Sequence, residues 1–527
     1  MSTSSILAQS SAKSGLNVLW GLIFSSIISA IGTVIVGNTL GDEFGLIAIA
    51  LSGPTMITYI RDLGMDQAII RHTTQYRTEN NIEKLKNIVI VGTSFEIILG
   101  IIFTVVSFFL SGVMATLLER PTIVPLIQIA SFTILTGGIL KAAQSVFIGY
   151  EKMEYHSLTL VIQSILKTAL MVTLVNLSFG PYGAIVGQIL GYSSAALVAF
   201  GLLYFIVITK IRKLKGKIQF ISTIKSMLTF GLPLSIATIL GGILTQFFIF
   251  LTAIYVNDAM MSNYSMALNF ASLVTVFSAS VSTVMFPTFS KIKGLSDMKT
   301  LQLVFQYSVK YTSLLIIPLA FAVIALSIPG VETLFQDTYE YTPLFLSIYC
   351  LSFIYVAVGN LSAGSLISSQ GKTQVNMKIA ILTFIFGLCL GLVLIPYFGV
   401  IGLLVSYIFS GLPGLILSLV WIKKHYEATI DWVSSIKIVC VSAFSATITY
   451  FVINQLNLTS WLGLTVGTPI FLGIYVVVSP MIGAITYGDT KNLKDALKNL
   501  GPLAIFIGFL LYPIEKISKA KQKNKNN

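Results

Sequence analysis

The chain has 527 residues, of which 55% are hydrophobic and only 10% are charged, and its net charge is +13. A soluble domain carries roughly 25% charged residues, so this composition excludes that class. The basic residues lie in alternate loops and at helix ends, which is typical of a membrane protein and argues against a nucleic-acid partner. The three cysteines lie in apolar runs without paired spacing, so we expect no disulfide, metal or other cofactor.

Apolar runs of about 20 residues follow one another along the chain, and each is long enough to cross a bilayer core of about 30 Å. A backbone in lipid must satisfy its own hydrogen bonds, so such runs form helices. We therefore predict an all-α integral membrane protein with fourteen transmembrane helices. The predicted spans are 16–40, 44–60, 88–118, 123–147, 157–178, 182–208, 227–255, 262–287, 303–328, 343–369, 377–396, 399–422, 434–454 and 462–486.

An internal repeat relates the first six spans to the next six. The segment Phe179–Val186 (FGPYGAIV) is similar to Phe398–Val405 (FGVIGLLV), which follows 219 residues later. Two membrane halves of equal size are the usual plan of a transporter that moves cargo between them. The predicted domains are an N-lobe (1–209), a basic cytoplasmic linker (210–226), a C-lobe (227–424), two further helices (425–486) and a cytoplasmic or interfacial tail (487–527).

The loop charges predict the orientation of the chain in the cell membrane. One set of loops carries nearly all the Lys and Arg residues, whereas the alternate loops contain one basic residue, Arg120. By the positive-inside rule, both termini are cytoplasmic. The apolar segment Leu500–Tyr512 is short and flanked by basic residues, so we expect it to lie on the cytoplasmic surface rather than cross.

Sequence motifs of enzymes are missing. The chain has no P-loop and no Gly-x-Ser-x-Gly turn, and its three histidines have no metal-ligand spacing. The predicted outer loops are too short for a separate catalytic domain. These observations favour a transporter over an enzyme.

Three ionisable residues lie inside predicted spans of the first half. Glu96, Lys141 and Lys167 are about 12, 9 and 15 Å from the cytoplasmic ends of their helices, at a rise of about 1.5 Å per residue. A charge inside a span costs about 2.5–3.5 kcal/mol on insertion scales, so it usually faces a cavity or a partner. Gln144 and Gln163 add polarity to the same helices. The pattern predicts a positively lined cavity for an anionic group such as a phosphate or pyrophosphate.

The same residues also allow a structural interpretation. Glu96 and Lys141 would form an ion pair, and Lys167 would extend its amine toward the membrane surface. Arg61, which closes the second span, would either anchor that helix end or lie at the mouth of the cavity. Glu96 is the only carboxylate well inside a span, so it is the candidate for carrying a coupling proton or sodium ion.

Several stretches resemble a known family. They are Phe44-Gly45-Leu46, Asp62–Arg71 (DLGMDQAIIR), Val284–Lys291 (VMFPTFSK), Tyr341–Phe345 (YTPLF) and Ser369–Thr373 (SQGKT). In this order, with fourteen spans and the repeat, the chain is similar to the Wzx-type oligosaccharide and polysaccharide flippases. These belong to the multidrug/oligosaccharidyl-lipid/polysaccharide (MOP) exporter superfamily, which includes the MATE drug exporters.

The resemblance implies two six-helix lobes around a central cavity, with alternating access of a lipid-linked oligosaccharide from the inner to the outer leaflet. The carrier would be a polyprenyl or dolichyl (pyro)phosphate. Related lipid II flippases have arginines in the first span, where this chain has none. The drug exporters often have acidic cation sites, whereas the interior predicted here is basic, which favours an anionic cargo.

We therefore predict a flippase of lipid-linked oligosaccharide that serves the synthesis of cell-surface polysaccharide or another glycan. Its expected partners are this lipid, the surrounding membrane lipids and glycan assembly enzymes. Three alternatives stay open on the sequence, and one of them is a passive scaffold in a glycan assembly complex. An ion-coupled multidrug exporter would depend on Glu96. A membrane glycosyltransferase or polymerase would need outward-facing carboxylates such as Asp42 and Glu43.

Overall fold

The structure is a computed structural model that describes residues 3–209, 218–290, 292, 298–456, 458–497 and 512–519. Nearly all of these residues are helical and none of them forms a β-strand, which confirms the predicted all-α class. Residues 210–217 of the predicted linker, and all of the segment Leu500–Tyr512 except Tyr512 itself, lie outside the described residues, so the predictions for both stay predictions.

The chain forms two compact units. Unit 1 contains the residues up to Asn269 together with Thr373–Gly414, and unit 2 contains Phe270–Lys372 together with the residues from Leu415 onward. The lobe boundaries deduced from the repeat stay predictions. The helices are, in chain order, α1 (Thr3–Leu40), α2 (Phe44–Asp62), α3 (Met65–Thr78), α4 (Ile82–Leu117), α5 (Val124–Gly149), α6 (Met153–Leu174), α7 (Gly180–Leu203), α8 (Phe220–Tyr255), α9 (Asp258–Ser290), α10 (Met298–Ala325), α11 (Ser327–Phe335), α12 (Thr342–Leu351), α13 (Ile354–Ala357), α14 (Asn360–Ser369), α15 (Thr373–Ser410), α16 (Leu412–Tyr426), α17 (Trp432–Gln455), α18 (Ser460–Ile482) and α19 (Tyr487–Leu497).

The described part of the chain has nine helical stretches long and apolar enough to cross a membrane, or ten if α12–α14 form one bent span. Three of the stretches, Gly21–Thr78, Met153–Ile208 and Thr373–Tyr426, are 58, 56 and 54 residues long. One crossing needs only about 20 residues, and each of these stretches contains two predicted spans. Large apolar side chains such as Phe109 and Leu197 are 77% and 76% exposed, as a surface in contact with lipid requires.

The two copies of the repeat have the same backbone conformation at equivalent glycines. Gly180 has φ 55° and ψ −143°, and Gly399 has φ 54° and ψ −127°. Residues with a Cβ atom avoid this region, so both positions require glycine. Three residues later, Gly183 and Gly402 each lie directly against the backbone that precedes this turn, at Leu174 and Leu394. The repeat is therefore present in the structure as well as in the sequence.

Small residues let the helices around α6 approach one another closely. A Cβ atom at Gly32 of α1 would lie 2.6 Å from the side chain of Thr168. On the other side, a Cβ atom at Gly191 of α7 would lie 2.5 Å from the Cα atom of Lys167. Small residues at such crossings are typical of membrane helices. The packing of α6 between α1 and α7 fixes the position of Lys167.

Polar contacts tie the N-terminal end of α2 to α9 within unit 1. Ser262 accepts a hydrogen bond from the backbone N–H of Gly45 at 2.6 Å and donates one to the Asp42 carbonyl at 2.5 Å. Nearby, Arg120 forms an ion pair with Asp258. We call these contacts the α2–α9 tie. They lie at the end of α2 opposite to its last turn.

Unit 2 contains a buried ion pair of its own. The Nζ atom of Lys310 in α10 lies 2.6 Å from Oδ2 of Asp489, and these side chains are 12% and 4% exposed. Asp489 also accepts a hydrogen bond from the backbone N–H of Thr486 at 2.8 Å, which caps the start of α19. This pair therefore attaches α19 to α10.

Candidate functional site

A fully buried ion pair joins the last turn of α2 to the interior of α4. Arg61 Nη1 lies 2.6 Å from Glu96 Oε2, and both side chains are 0% exposed. The guanidinium lies in a notch at Gly138 of α5, where a Cβ atom would overlap with Nη1. Glycine at this position therefore makes room for Arg61.

The alternative prediction of an ion pair between Glu96 and Lys141 is wrong. Arg61 lies between Glu96 and α5, so the Glu96 carboxylate is already paired with a cation. Lys141 lies about one turn beyond Gly138 and faces Asp66, with 3.9 Å between Nζ and Oδ2. The Lys141 side chain is 53% exposed, so this second contact is loose and open to solvent. The positions of Glu96 and Lys141 along their helices predicted the depth of their charges in the membrane, but not which charges form ion pairs.

A left-handed turn between α2 and α3 brings two aspartates to the same place. Leu63 and Gly64 have φ values of 45° and 78°. A Cβ atom at Gly64 would also collide with the backbone of Gly231 in α8, so the crossing requires glycine. The turn places Asp62 at the end of α2 and Asp66 in the first turn of α3, next to α4 and α5.

Three carboxylates meet at this turn. One carboxylate oxygen from each of Asp62, Asp66 and Glu96 lies within 4.8 Å of the others. Ser145 donates a hydrogen bond to Asp66 Oδ1 at 3.1 Å. Asp62 Oδ1 and Glu96 Oε1 are buried and have no hydrogen-bond partner among the described residues. We call the following side chains the charge cluster: Arg61, Asp62, Asp66, Glu96 and Lys141.

Lys167 lies on α6 and is partly buried. Among the described residues, no carboxylate lies within ion-pair distance of its amine. Gln163, four residues earlier on the same helix face, lies next to the hydroxyl group of Tyr192 in α7. Tyr192 is also within electrostatic range of Lys141. Polar groups of α5, α6 and α7 therefore face a common region next to the charge cluster.

The other two positions singled out in the sequence have different surroundings. Gln144 is only 8% exposed, and its Nε2 atom donates to Thr159 Oγ1 at 3.1 Å, which joins α5 to α6. Its role in cargo binding stays a prediction. Phe386, the counterpart of Lys167 in the repeat, is 40% exposed on α15, so the repeat is not symmetric in charge.

Asp62, Asp66 and Tyr192 were not among the site residues predicted from the sequence. Both aspartates stood in the stretch that carries the family resemblance, but the predicted end of the second span placed them in a loop. Their spacing of four residues around a glycine was the available signal. Tyr192 had no signal, because an aromatic residue in an apolar span is ordinary. Only the packing of α7 against α5 and α6 brings it to the site.

The fold is shared with known lipid and drug transporters. The lipid II flippase MurJ in an inward closed conformation superposes with a TM-score of 0.68, 17% identity, and coverage of 88% of this chain and 98% of MurJ. An inward-facing multidrug resistance MATE transporter of the MOP superfamily gives a TM-score of 0.61 and 15% identity, over 76% of this chain and 94% of the transporter. At such identities these similarities establish the fold alone.

Sequence relatives cover most of the chain. An uncharacterized membrane protein of Methanocaldococcus jannaschii is 24% identical over 457 residues, which are 82% of this chain and 88% of the relative. The lipopolysaccharide biosynthesis protein WzxC of Escherichia coli is 23% identical over 378 residues, or 70% of this chain and 72% of WzxC. The family model described as polysaccharide biosynthesis protein matches residues 39–343. Because the matched residues make up more than half of this chain, the chain is a member of the polysaccharide biosynthesis protein family, and it has the fold of the MOP superfamily transporters.

Proposed function

We propose that the protein is a flippase that carries a lipid-linked oligosaccharide across the cell membrane by alternating access. Family membership and the transporter fold support movement of a lipid-bound precursor of a glycan. The cargo would be an oligosaccharide on a polyprenyl or dolichyl (pyro)phosphate. Its headgroup would cross inside the protein while the lipid tail stays in the bilayer.

Lys167 is the observation that carries the proposal. A cation in a membrane interior is costly unless an anion or hydrogen-bond acceptors compensate it. Lys167 is packed between α1 and α7 and has no ion-pair partner among the described residues. A phosphate of the cargo would supply the missing negative charge through charge-assisted hydrogen bonds.

Neighbouring polar groups would complete the binding site. Lys141 is half exposed and only loosely held by Asp66, so it is free to contact a second phosphate oxygen. Gln163 and Tyr192 offer amide and hydroxyl groups that suit the hydroxyls of a sugar. Arg61 is fully buried against Glu96, so we propose that it supports the site and does not contact the cargo directly.

The remaining predictions fit into the same scheme. We place the N-lobe at 1–209 and the C-lobe at 227–424, with both termini in the cytoplasm. The charge cluster then belongs to the inner half of the membrane, and the α2–α9 tie belongs to the outer side. Release of cargo outward would require this tie to open. Glycan assembly enzymes on either side are the proposed partners.

Purified protein in liposomes tests the proposal. A lipid-linked oligosaccharide is placed in both leaflets, and a membrane-impermeant glycosidase measures how fast the inner pool reaches the outside. We expect Lys167→Ala to slow this movement by about tenfold or more, because a charge-assisted contact is lost. Lys152→Ala, which removes an exposed lysine next to α6, is the matched control and keeps the rate. Transport of a cationic dye with no movement of the glycan lipid would refute the proposal in favour of drug export.

A further inference from the structure

The charge cluster is not electrically balanced. It contains two cations, Arg61 and Lys141, and three carboxylates, so its formal charge is −1. Asp62 Oδ1, Glu96 Oε1 and the Nε and Nη2 atoms of Arg61 are buried without a hydrogen-bond partner among the described residues. The carboxylates outnumber the cations by one, and an excess charge in a largely buried cluster costs several kcal/mol, so the cluster favours the uptake of one more positive charge.

The spacing of the oxygens suits a bound cation. One oxygen of each of Asp62, Asp66 and Glu96 lies within 4.8 Å of the other two. A hard cation with oxygen ligands sits about 2.4 Å from each of them, so ligands on opposite sides are about 4.8 Å apart. Carboxylates are the ligands that such cations prefer. The two cluster cations contact other oxygens of these residues: Arg61 Nη1 is bound to Glu96 Oε2, and Lys141 Nζ lies 3.9 Å from Asp66 Oδ2.

We propose that Asp62, Asp66 and Glu96 bind one sodium ion, and that Lys141 competes with this ion for the carboxylates. A monovalent ion neutralises the formal charge of −1, whereas a divalent ion would leave an excess positive charge. The inference rests on the proposed function only for the role of the ion in transport. Lys141 would then belong to two sites, because a cargo phosphate that draws it away from Asp66 frees that carboxylate for sodium.

Sodium binding is measured directly on the purified full-length protein in detergent. The readouts are binding of radioactive sodium and the thermal unfolding midpoint, with choline chloride at the same ionic strength as the reference. We expect saturable binding of one ion per chain and a midpoint that rises with sodium but not with choline. The measurement needs neither cargo nor a membrane, so it is independent of flippase activity.

Variants assign the ion to the cluster. Asp62→Asn should weaken sodium binding by about tenfold or more, because one ligand charge is lost. Lys141→Gln should strengthen sodium binding by a similar factor, because the competing charge is gone. Glu151→Gln and Lys152→Gln, which change exposed charges nearby, should leave the affinity unchanged. Asp62→Asn is preferred to a change at Glu96, because Asp62 forms no ion pair with any described residue, whereas loss of the Glu96 carboxylate would leave Arg61 buried without its partner.

The possible outcomes separate the two proposals. Absence of sodium-specific binding, or an affinity that Asp62→Asn leaves unchanged, would overturn the inference. Stabilisation that follows pH alone and ignores sodium would identify the occupant as a proton and would overturn it too. If the protein moves glycan lipid without binding sodium, only this inference is wrong. If it binds sodium at the cluster but moves no glycan lipid, only the proposed function is wrong.

Discussion

Arg61 and Glu96 depend on each other because both are completely buried. Replacing a buried ion pair by apolar residues often changes stability little, whereas removing one partner leaves a charge without compensation. The pair also has a geometric condition, since Gly138 must lack a side chain where the guanidinium lies. At this scale, the pair supports the site by holding α2, α4 and α5 at a defined distance.

A double-variant cycle tests this dependence. Arg61→Met and Glu96→Leu should each lower the free energy of unfolding by about 3–5 kcal/mol, because each leaves one buried charge. The double variant should lose clearly less than the sum. Lys141→Gln is the comparison, with a cost of about 1 kcal/mol or less, because that contact is exposed. Denaturant unfolding in detergent provides the measurement. Strictly additive losses of unfolding free energy would show that Arg61 and Glu96 do not depend on each other.

At the scale of elements, the two copies of the repeat share one turn but have different neighbours. A Cβ atom at Gly180 would lie 3.6 Å from Glu43, an ordinary contact, whereas one at Gly399 would lie 2.9 Å from Val256. Both positions have a positive φ that a side chain would strain. The same backbone therefore tolerates substitution differently in the two copies.

Alanine substitution should separate backbone strain from crowding. Gly180→Ala and Gly399→Ala should each cost about 1–3 kcal/mol through strain alone. Gly399→Ala should cost more, because Val256 must also move. Adding Val256→Ala should recover part of the loss in the Gly399→Ala background and none in the Gly180→Ala background. Thermal unfolding midpoints of these four variants and of Val256→Ala alone give the comparison, and equal midpoints for the two single glycine variants would show that crowding is unimportant.

At the scale of the whole molecule, a symmetric repeat carries an asymmetric chemistry. The first half contains the charge cluster and Lys167, whereas the second half has Phe386 at the position equivalent to Lys167. One half thus has a charged side chain where the equivalent position of the other half has an apolar one. Under the proposed function, this division would suit a cargo that has both a charged headgroup and a lipid tail.

Depletion of the protein in its native cells tests the function at this scale. We expect a complete (pyro)phosphate-linked oligosaccharide to accumulate on the cytoplasmic leaflet, because its transfer outward is blocked. Leaflet-specific labelling of the glycan lipid measures this. Normal appearance of the lipid outside without polymerisation or transfer would indicate an enzyme instead. No change in the glycan lipid would argue for export of another cargo.

The part of the candidate site that sequence reasoning recovered is the set of buried charges. Glu96, Lys141 and Lys167 stood out because ionisable residues are rare in apolar spans. Their partners did not, because a depth along a helix says nothing about the direction of a side chain around its axis. The ion-pair partner of Glu96 is therefore Arg61 and not Lys141, the partner that one interpretation of the sequence predicted. Asp62 and Asp66 lie at the site because of a left-handed turn between them, and Gly64 was its only signal in the sequence.

The sequence by itself determined the class of the protein, the helices and the repeat. Long apolar runs leave a chain in lipid no alternative to helices, and the repeated glycines impose the same turn twice. Tertiary structure alone decided which charges meet, because that depends on how helices distant in the chain rotate and pack against each other. The notch at Gly138 and the crossing at Gly64 are contacts between such helices. They direct Arg61 to Glu96 and leave Asp62 Oδ1 and Glu96 Oε1 without a hydrogen-bond partner in the described part of the chain, where we propose the sodium ion.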